Sequence, residues 1–150
     1  MAKVINLNKE LSINFTLVEF IRNRWFSKQD NQTADELYLN DRTIRHNLKV
    51  LATQLQILRD YLNCPVRISI ALRPVPYELS KGRSGNSRHT LGLAADIYAD
   101  DYTPQEVYNA IEELIAKGIM LDGGLGLYAS MGFVHYDFTM NSERRWRKAA

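Results

Sequence analysis

Two histidines in the second half of the chain each stand near an aspartate, and these pairs are the pattern most able to do chemistry. His89 precedes Asp96 by seven residues within the segment SRHTLGLAADI. Asp96 lies in an otherwise apolar run, where a buried carboxylate costs free energy unless it is paired, hydrogen-bonded or bound to a metal. A salt bridge to an arginine and ligation of a metal ion are therefore the two interpretations of Asp96.

The second pair lies in the segment GFVHYDF, where His135 and Asp137 are two residues apart. On a β-strand this spacing places both side chains on one face. The intervening Val134 and Tyr136 then face the other way, into the expected core. Such a strand suits the floor of a site, although a solvated sheet face would show the same pattern.

Together, His89, Asp96 and His135 could offer two imidazoles and one carboxylate to a metal ion. Three protein ligands leave the fourth position of tetrahedral zinc open, as in catalytic zinc sites. Zinc acts as a Lewis acid and lowers the pKa of a bound water, which becomes the expected nucleophile. Asp137 could then act as general base, or it could hold a ligand histidine in orientation from outside the ligand set.

The amino-acid composition limits the kinds of metal site and of binding partner that the chain can have. The single cysteine, Cys64, excludes an internal disulfide and the Cys-rich zinc motifs. The third histidine, His46, lies off the apolar stripe of its predicted helix, so we expect it in solvent. Nineteen Lys and Arg residues against 17 Asp and Glu give a net charge of +2, which does not suggest nucleic-acid binding.

The length of 150 residues predicts one domain over residues 1–150. We expect its core to span about residues 12–140 and a basic, peripheral C-terminal tail to cover residues 142–150. No stretch approaches the roughly 20 apolar residues that span a bilayer. The N-terminal residues lack the apolar centre of a signal peptide, so synthesis in the cytoplasm is expected.

The order of helices and strands predicted around these residues indicates an α+β fold, with a small, mainly antiparallel sheet and packed helices. Apolar residues three and four apart predict a helix over residues 41–62. A capping box at Thr103 opens a second helix that runs to about Lys117. A short helical signal follows Thr16, and the polar residues 27–40 are predicted to form a loop.

Strands are predicted in the remaining apolar stretches, residues 66–72, 93–99, 125–128 and 133–138. Between the first two of these lie residues 73–88, which contain two prolines, two glycines and three serines. This composition predicts a long irregular loop, and long loops inside small domains are often functional.

Several motifs occur together between residues 15 and 138. They are Phe15-Thr16-Leu17-x-Glu19-Phe20, Arg73-Pro74, Ser87-x-His89-x-x-Gly92-x-Ala94-x-Asp96, Gly123-Gly124-x-Gly126-x-Tyr128 and Phe133-Val134-His135-x-Asp137. This set resembles the D-alanyl-D-alanine carboxypeptidase-like zinc peptidases. Within them it is most similar to the branch of murein endopeptidases and phage proteins, whose fold is shared with the hedgehog signalling domain.

The resemblance implies zinc ligands at His89, Asp96 and His135. It also implies that Arg73 lies at the site, where it could bind a substrate carbonyl or carboxylate and stabilise a developing oxyanion. Ser87 could bind substrate or brace the loop. Many relatives carry a catalytic glutamate three residues before the last histidine, and the residue here is Gly132. The base therefore cannot be carried over from those relatives. In the branch that this chain resembles the motif ends His-x-Asp, and on that resemblance we assign a catalytic role to Asp137.

The resemblance also implies a zinc-dependent peptidase that hydrolyses peptide bonds of peptidoglycan stem peptides, as a carboxypeptidase or an endopeptidase. The alternative is a non-catalytic zinc-binding domain of a phage particle or a larger assembly. The expected partner is a peptidoglycan peptide, without nucleic acid or a membrane segment, and a monomer is expected. If the chain is of phage origin, we expect release to the cell wall or carriage in the virion.

Overall fold

A five-stranded mixed sheet forms the centre of the protein, which a computed structural model describes over residues 4–139 and 144–148. Its strands, in their order across the sheet, are β3 (Val66–Ile70), β4 (Ala94–Ala99), β6 (Phe133–Asp137), β5 (Gly124–Tyr128) and β7 (Arg144–Arg147). Neighbouring strands are antiparallel except β5 and β7, which run parallel. A separate hairpin consists of β1 (Glu10–Ser12) and β2 (Phe15–Thr16). The predicted α+β class is confirmed.

Within the described ranges, five α-helices accompany the sheet: α1 (Leu17–Ile21), α2 (Lys28–Asn40), α3 (Arg42–Leu62), α4 (Val75–Ser80) and α5 (Pro104–Ala116). Asp41 caps α3 by accepting a hydrogen bond from the backbone N–H of Ile44 at 3.1 Å. Four leucines on the apolar stripe of α3 are fully buried, and each such side chain stabilises the fold by about 1.5–3 kcal/mol; they are Leu48, Leu51, Leu55 and Leu58. No helix among the described residues is long and apolar enough to cross a membrane.

The two faces of the sheet differ sharply in character, because successive side chains of a strand point to opposite faces. One face is apolar and belongs to the core that includes α3 and α5; its residues are Ala95, Ile97, Leu125, Leu127, Val134 and Tyr136. The opposite face carries the polar residues and glycines of the motifs: Asp96, Gly124, Gly126, His135 and Asp137. This second face is the floor of the candidate site.

The prediction of a loop over residues 27–40 is wrong, because those residues form α2. The side chain of Ser27 accepts a hydrogen bond from the backbone N–H of Asp30 at 3.1 Å, and the Asp30 carboxylate accepts one from the backbone N–H of Ser27 at 3.0 Å. This capping box starts the helix. Only Ala34 and Tyr38 of α2 are buried, so the helix carries too few apolar residues to show a helical period.

The irregular loop predicted over residues 73–88 is also interrupted by a helix, α4, in which Pro76 occupies the first turn. Proline is tolerated there because the N–H that it lacks would have no partner within the helix. The basic tail is a further correction. Residues 144–147 form β7 and belong to the sheet, while residues 142–143 and 149–150 lie outside the described part.

Candidate metal centre

Two neighbouring strands and a short helix bring the three predicted ligands together. Asp96 of β4 and His135 of β6 are directly opposite each other in the antiparallel register. His89 lies in a 3-10 helix, Arg88–Leu91, which Gly92 ends in the left-handed conformation with φ 75°. The chain then turns directly into β4. One ligand atom from each of the three residues lies within 4.8 Å of the others.

His89 presents an unused nitrogen to this cluster. Its Nδ1 is 2.8 Å from the carbonyl oxygen of Ala71, which can only accept, so Nδ1 carries the proton and Nε2 keeps its lone pair. Nε2 is buried and lies 3.3 Å from Asp96 Oδ1 without hydrogen-bonding geometry; it has no hydrogen-bond partner among the described residues. Burial lowers the pKa of His89 and favours the neutral imidazole, the form that binds metals.

His135 is oriented from the other side. Its Nε2 donates a hydrogen bond to Asp137 Oδ2 at 2.8 Å, and its Nδ1 lies 3.2 Å from Asp96 Oδ1. Burial alone would lower the pKa of His135, but the two carboxylates outweigh that effect and raise it above the ordinary value. Burial likewise would raise the pKa of Asp96, but the adjacent imidazoles hold it well below its usual range.

These three donors fit a zinc ion. Neutral imidazole nitrogens and an ionised carboxylate oxygen are the ligands of catalytic zinc sites. The buried Nε2 of His89 lies 3.3 Å from Asp96 Oδ1 and has no hydrogen-bond partner in the described part of the chain, and a bound cation would explain the position of this polar atom. The Ala71 carbonyl and the Asp137 carboxylate are the kind of outer partners that fix the orientation of ligand histidines.

Asp137 is fully buried, and both of its oxygens accept hydrogen bonds. Oδ1 accepts from the backbone N–H of Gly124 at 2.9 Å and from Thr139 Oγ1 at 2.6 Å. Oδ2 accepts from His135 Nε2 at 2.8 Å and from Arg144 Nη2 at 2.6 Å. Burial alone would raise the pKa of Asp137, but these hydrogen bonds hold it far below the ordinary value. The side chain is therefore an ionised carboxylate with no free oxygen.

Arg73, which the resemblance implies lies at the site, stands at the edge of the cluster. Its backbone N–H donates to the carbonyl oxygen of His89 at 3.0 Å, which ties the start of the long loop to the 3-10 helix. Its guanidinium is mostly buried, and Nη2 lies 3.7 Å from Asp96 Oδ2. A fixed positive charge therefore lies beside the carboxylate of the candidate metal site.

Glu78 of α4 also lies at the site, although no sequence motif indicated it. It is fully buried, and Oε2 lies 3.3 Å from Nη1 of both Arg73 and Arg83. The hydroxyl of Ser87 donates a hydrogen bond to its Oε1, which joins the end of the loop to α4. One feature of the sequence could have indicated this role: Glu78 is the only acidic residue in residues 73–88, a segment with four arginines and lysines.

A cleft of about 460 Å³ opens over the cluster. Its charged lining residues are Arg73, Arg83, Arg88, Asp96, Asp137, Arg144 and Lys148. A depression of about 530 Å³ between α2 and α3 is larger but contains none of the three candidate ligands. His46 is exposed on α3, as expected, and takes no part in the cluster.

A family model described as peptidase M15 matches residues 14–137. The chain belongs to this family. The match includes the His-Asp-His cluster, Arg73 and Ser87, and it confirms the resemblance to the D-alanyl-D-alanine carboxypeptidase-like zinc peptidases. No curated protein matches the chain. Membership supports a peptidase, and M15 peptidases are in general zinc-dependent.

The part of this M15 chain beyond residue 137 also reaches the site, through β7. The indole of Trp146 lies 5.0 Å from the imidazole of His135, measured between ring centroids. Its Nε1 donates a hydrogen bond to the Tyr128 hydroxyl at 3.0 Å. Trp146 therefore forms a wall beside the candidate ligand. Its sequence segment carries no apolar alternation, so no strand was predicted there.

The glycines of the Gly123-Gly124-x-Gly126 motif make room for β7. Gly124 is opposite Arg144, and Gly126 is opposite Trp146 in the parallel register. A Cβ on Gly124 would overlap the guanidinium of Arg144, and one on Gly126 would overlap the indole of Trp146. Gly124 and Gly126 therefore allow the side chains of β7 to approach the backbone of β5 closely. In the sequence, this spacing of glycines was the indication that another element packs on this face of β5.

Proposed function

We propose that the protein is a zinc-dependent peptidase that hydrolyses peptide bonds of peptidoglycan stem peptides. The observation that carries the proposal is the convergence of two oriented imidazole nitrogens on the carboxylate of Asp96, one of them buried without a hydrogen-bond partner in the described part of the chain. Membership of the M15 family supports the peptidase chemistry. The basic cleft above the cluster suits an acidic peptide.

His89, Asp96 and His135 would hold the ion. Zinc bound there would supply a Lewis acid and an activated water. The chain's own contribution is to keep both imidazoles in the tautomer that binds metal. The Ala71 carbonyl does this for His89 and Asp137 does it for His135.

Arg73 would bind the carbonyl oxygen of the scissile bond and stabilise the negative charge that develops on it. A guanidinium is charged at every relevant pH and forked, which suits this role. Glu78 contacts one arm of the guanidinium at 3.3 Å, while the other arm lies toward Asp96. Because the Ser87 hydroxyl donates to Glu78, we infer that Ser87 supports this arrangement and does not contact the substrate.

Asp137 fits the second of its two predicted roles, that of a positioning residue. A general base needs an oxygen that can reach a proton of the attacking water and a pKa near the working pH. Asp137 is fully buried, its oxygens are both occupied, and its pKa is held far below the ordinary value. We infer that it orients His135 and does not take the proton.

The test is digestion of isolated peptidoglycan by the purified chain with added zinc, followed by mass spectrometry of the released fragments. We expect peptides with newly formed termini, no release in the presence of a chelator, and recovery when zinc is restored. Asp96→Asn should lose both zinc and activity, because it removes the charged ligand. His46→Ala is the matched control, since it removes an exposed histidine outside the cluster and should retain both.

Two other outcomes would contradict the proposal in different ways. A chain that binds one zinc ion but releases no peptide would favour the non-catalytic zinc-binding domain. A chain purified without chelator that holds well under half a zinc ion per molecule would contradict the metal site itself. The mass of the fragments would also identify the bond that is cleaved.

A further inference from the structure

The cleft over the candidate metal cluster continues into a second depression. This groove has a volume of about 300 Å³ and shares Arg73, Arg83 and Asp96 with the cleft. Asp96, one of the three candidate ligands, therefore borders both depressions. We call the second depression the Trp25 groove; its remaining lining residues are Trp25, Ile70, Tyr77 and Lys81.

The walls of the Trp25 groove are aromatic and held in place. Tyr77 is buried, and Phe26 packs edge-to-face against its ring with centroids 4.9 Å apart. Trp25 is 46% exposed, with the guanidinium of Arg24 4.8 Å from its ring centroid. Exposed aromatic side chains that line a concave surface provide contact area for a ligand at a low cost in side-chain entropy.

The groove also carries positive charge. Lys81 Nζ lies 5.5 Å from the centroid of the Tyr77 ring, and no carboxylate in the described ranges lies within ion-pair distance of it. Arg83 is about half exposed and contacts the buried Glu78. The one carboxylate that lines the groove, Asp96, belongs to the candidate metal cluster. Arg73 and Arg83 already face Glu78 or Asp96, so the charge that a ligand in the groove would meet unmatched is that of Lys81, and a negatively charged group would match it.

We propose that the Trp25 groove binds the part of a peptide substrate that lies on one side of the scissile bond, and that it selects a segment with a free carboxylate there. This inference rests on the proposed peptidase function. Lys81 is the specificity-determining residue, and Trp25 and Tyr77 provide the apolar contacts. A substrate that fills both depressions has residues on both sides of the cluster.

The test uses a synthetic stem pentapeptide, L-Ala-D-Glu-L-Lys-D-Ala-D-Ala, with free carboxylates, and two analogues. One analogue carries a carboxamide in place of the free D-Glu carboxylate, and the other carries a C-terminal carboxamide. Steady-state kinetics are compared for the wild type and Lys81→Gln. Lys49→Gln is the matched control, because Lys49 is exposed on α3 and lines neither depression.

We expect the wild type to prefer the free-acid peptide over one of the analogues by about fivefold in kcat/KM, as for a single exposed ion pair of about 1 kcal/mol. Lys81→Gln should remove this preference by raising KM for the acid peptide, with kcat unchanged. The control should retain the preference. Equal kcat/KM for all three peptides, or an equal loss on all three in Lys81→Gln, would overturn the groove as a carboxylate subsite.

Calorimetric titration of the same peptides into the full chain tests the groove without turnover. Weaker binding of one carboxamide analogue in the wild type, and equal binding in Lys81→Gln, would support it. Equal affinity of all three peptides for the wild type would overturn it. A wild type that discriminates in binding but hydrolyses neither these peptides nor peptidoglycan would contradict the peptidase function and leave the subsite standing.

Discussion

The carboxylate of Asp137 shows how hydrogen bonding decides what a single residue can do at this site. Both of its oxygens accept, and one of the donors is the candidate ligand His135. Replacing Asp137 by Asn keeps the volume but removes the charge that orients this imidazole and introduces an amide NH₂. We expect Asp137→Asn to weaken zinc binding by about 10- to 100-fold and to retain most of its turnover at saturating zinc.

The measurement for Asp137→Asn is a competition titration of zinc against a chelator, together with kcat at saturating zinc. Asp100→Asn is the control, because Asp100 forms an exposed ion pair with Arg67 away from the cluster and should leave zinc affinity unchanged. Full zinc affinity combined with a large loss of kcat would instead make Asp137 the general base. The two measurements thereby distinguish the two roles that the sequence left open for Asp137, orientation of His135 and general base.

At the level of residues, candidate site residues could be found from the sequence where a motif specifies both the residue type and the spacing. The two-residue spacing of His135 and Asp137 indicates one strand face. His89, Asp96 and His135 could be grouped because the two segments supply the imidazoles and the carboxylate that a catalytic zinc site needs. Glu78 could not be found in this way, since its importance comes from contacts with Arg73 and Ser87 that depend on the path of the loop. A carboxylate in a polar segment shows no sign of burial in the sequence.

Among the elements, β7 is the one whose attachment can be tested most directly. Gly126 faces Trp146 across the parallel β5–β7 pair, and a Cβ at Gly126 would overlap the indole. We expect Gly126→Ala to destabilise the protein by about 1–3 kcal/mol and to displace Trp146 from His135. In a Trp146→Ala background the same change should cost much less, because the clash has been removed.

Denaturant unfolding of the two single variants and the double variant measures this coupling. We expect the free energies of unfolding to be non-additive by more than about 0.5 kcal/mol. Strictly additive losses would show that Gly126 is needed for its backbone and not for the approach of Trp146. In that case, β7 would contribute to the sheet without shaping the site.

The elements that were predicted correctly carry their signal in their own sequence. α3 and α5 each have an apolar stripe and a capping residue, so their period and start are local properties. α2 is polar over most of its surface and β7 has no apolar alternation, so neither shows a period. Their places are decided by tertiary contacts, such as the bidentate pair of Arg22 with Asp35 that joins the end of α1 to α2.

For the whole molecule, the charges of the site link stability to pH and to metal. The folded-state pKa values of Asp96 and Asp137 are lowered, so the stability that they contribute is present above their unfolded value of 3.8 and is lost as the pH falls through the folded values. The pKa of His135 is raised above 6.5, so its contribution to the metal-free fold is present below 6.5 and is lost as the pH rises. The metal-free protein should therefore remain folded into the mildly acidic range and lose stability below about pH 4.

Bound zinc should reverse the pH dependence of the stability that His135 contributes, because a bound ion requires both imidazoles to be neutral. At pH 8 and a free zinc concentration of 100 times Kd, we expect zinc to stabilise the chain by about 2.7 kcal/mol. Protons compete for His135 as the pH falls through its raised pKa, so the increment should shrink steeply toward pH 5. Unfolding with zinc and with chelator from pH 5 to 8 measures the increment, and Asp96→Asn should show none at any pH. An increment that is the same at pH 5 and pH 8 would mean that the ion does not bind through His135, and the ligand set would have to be reassigned.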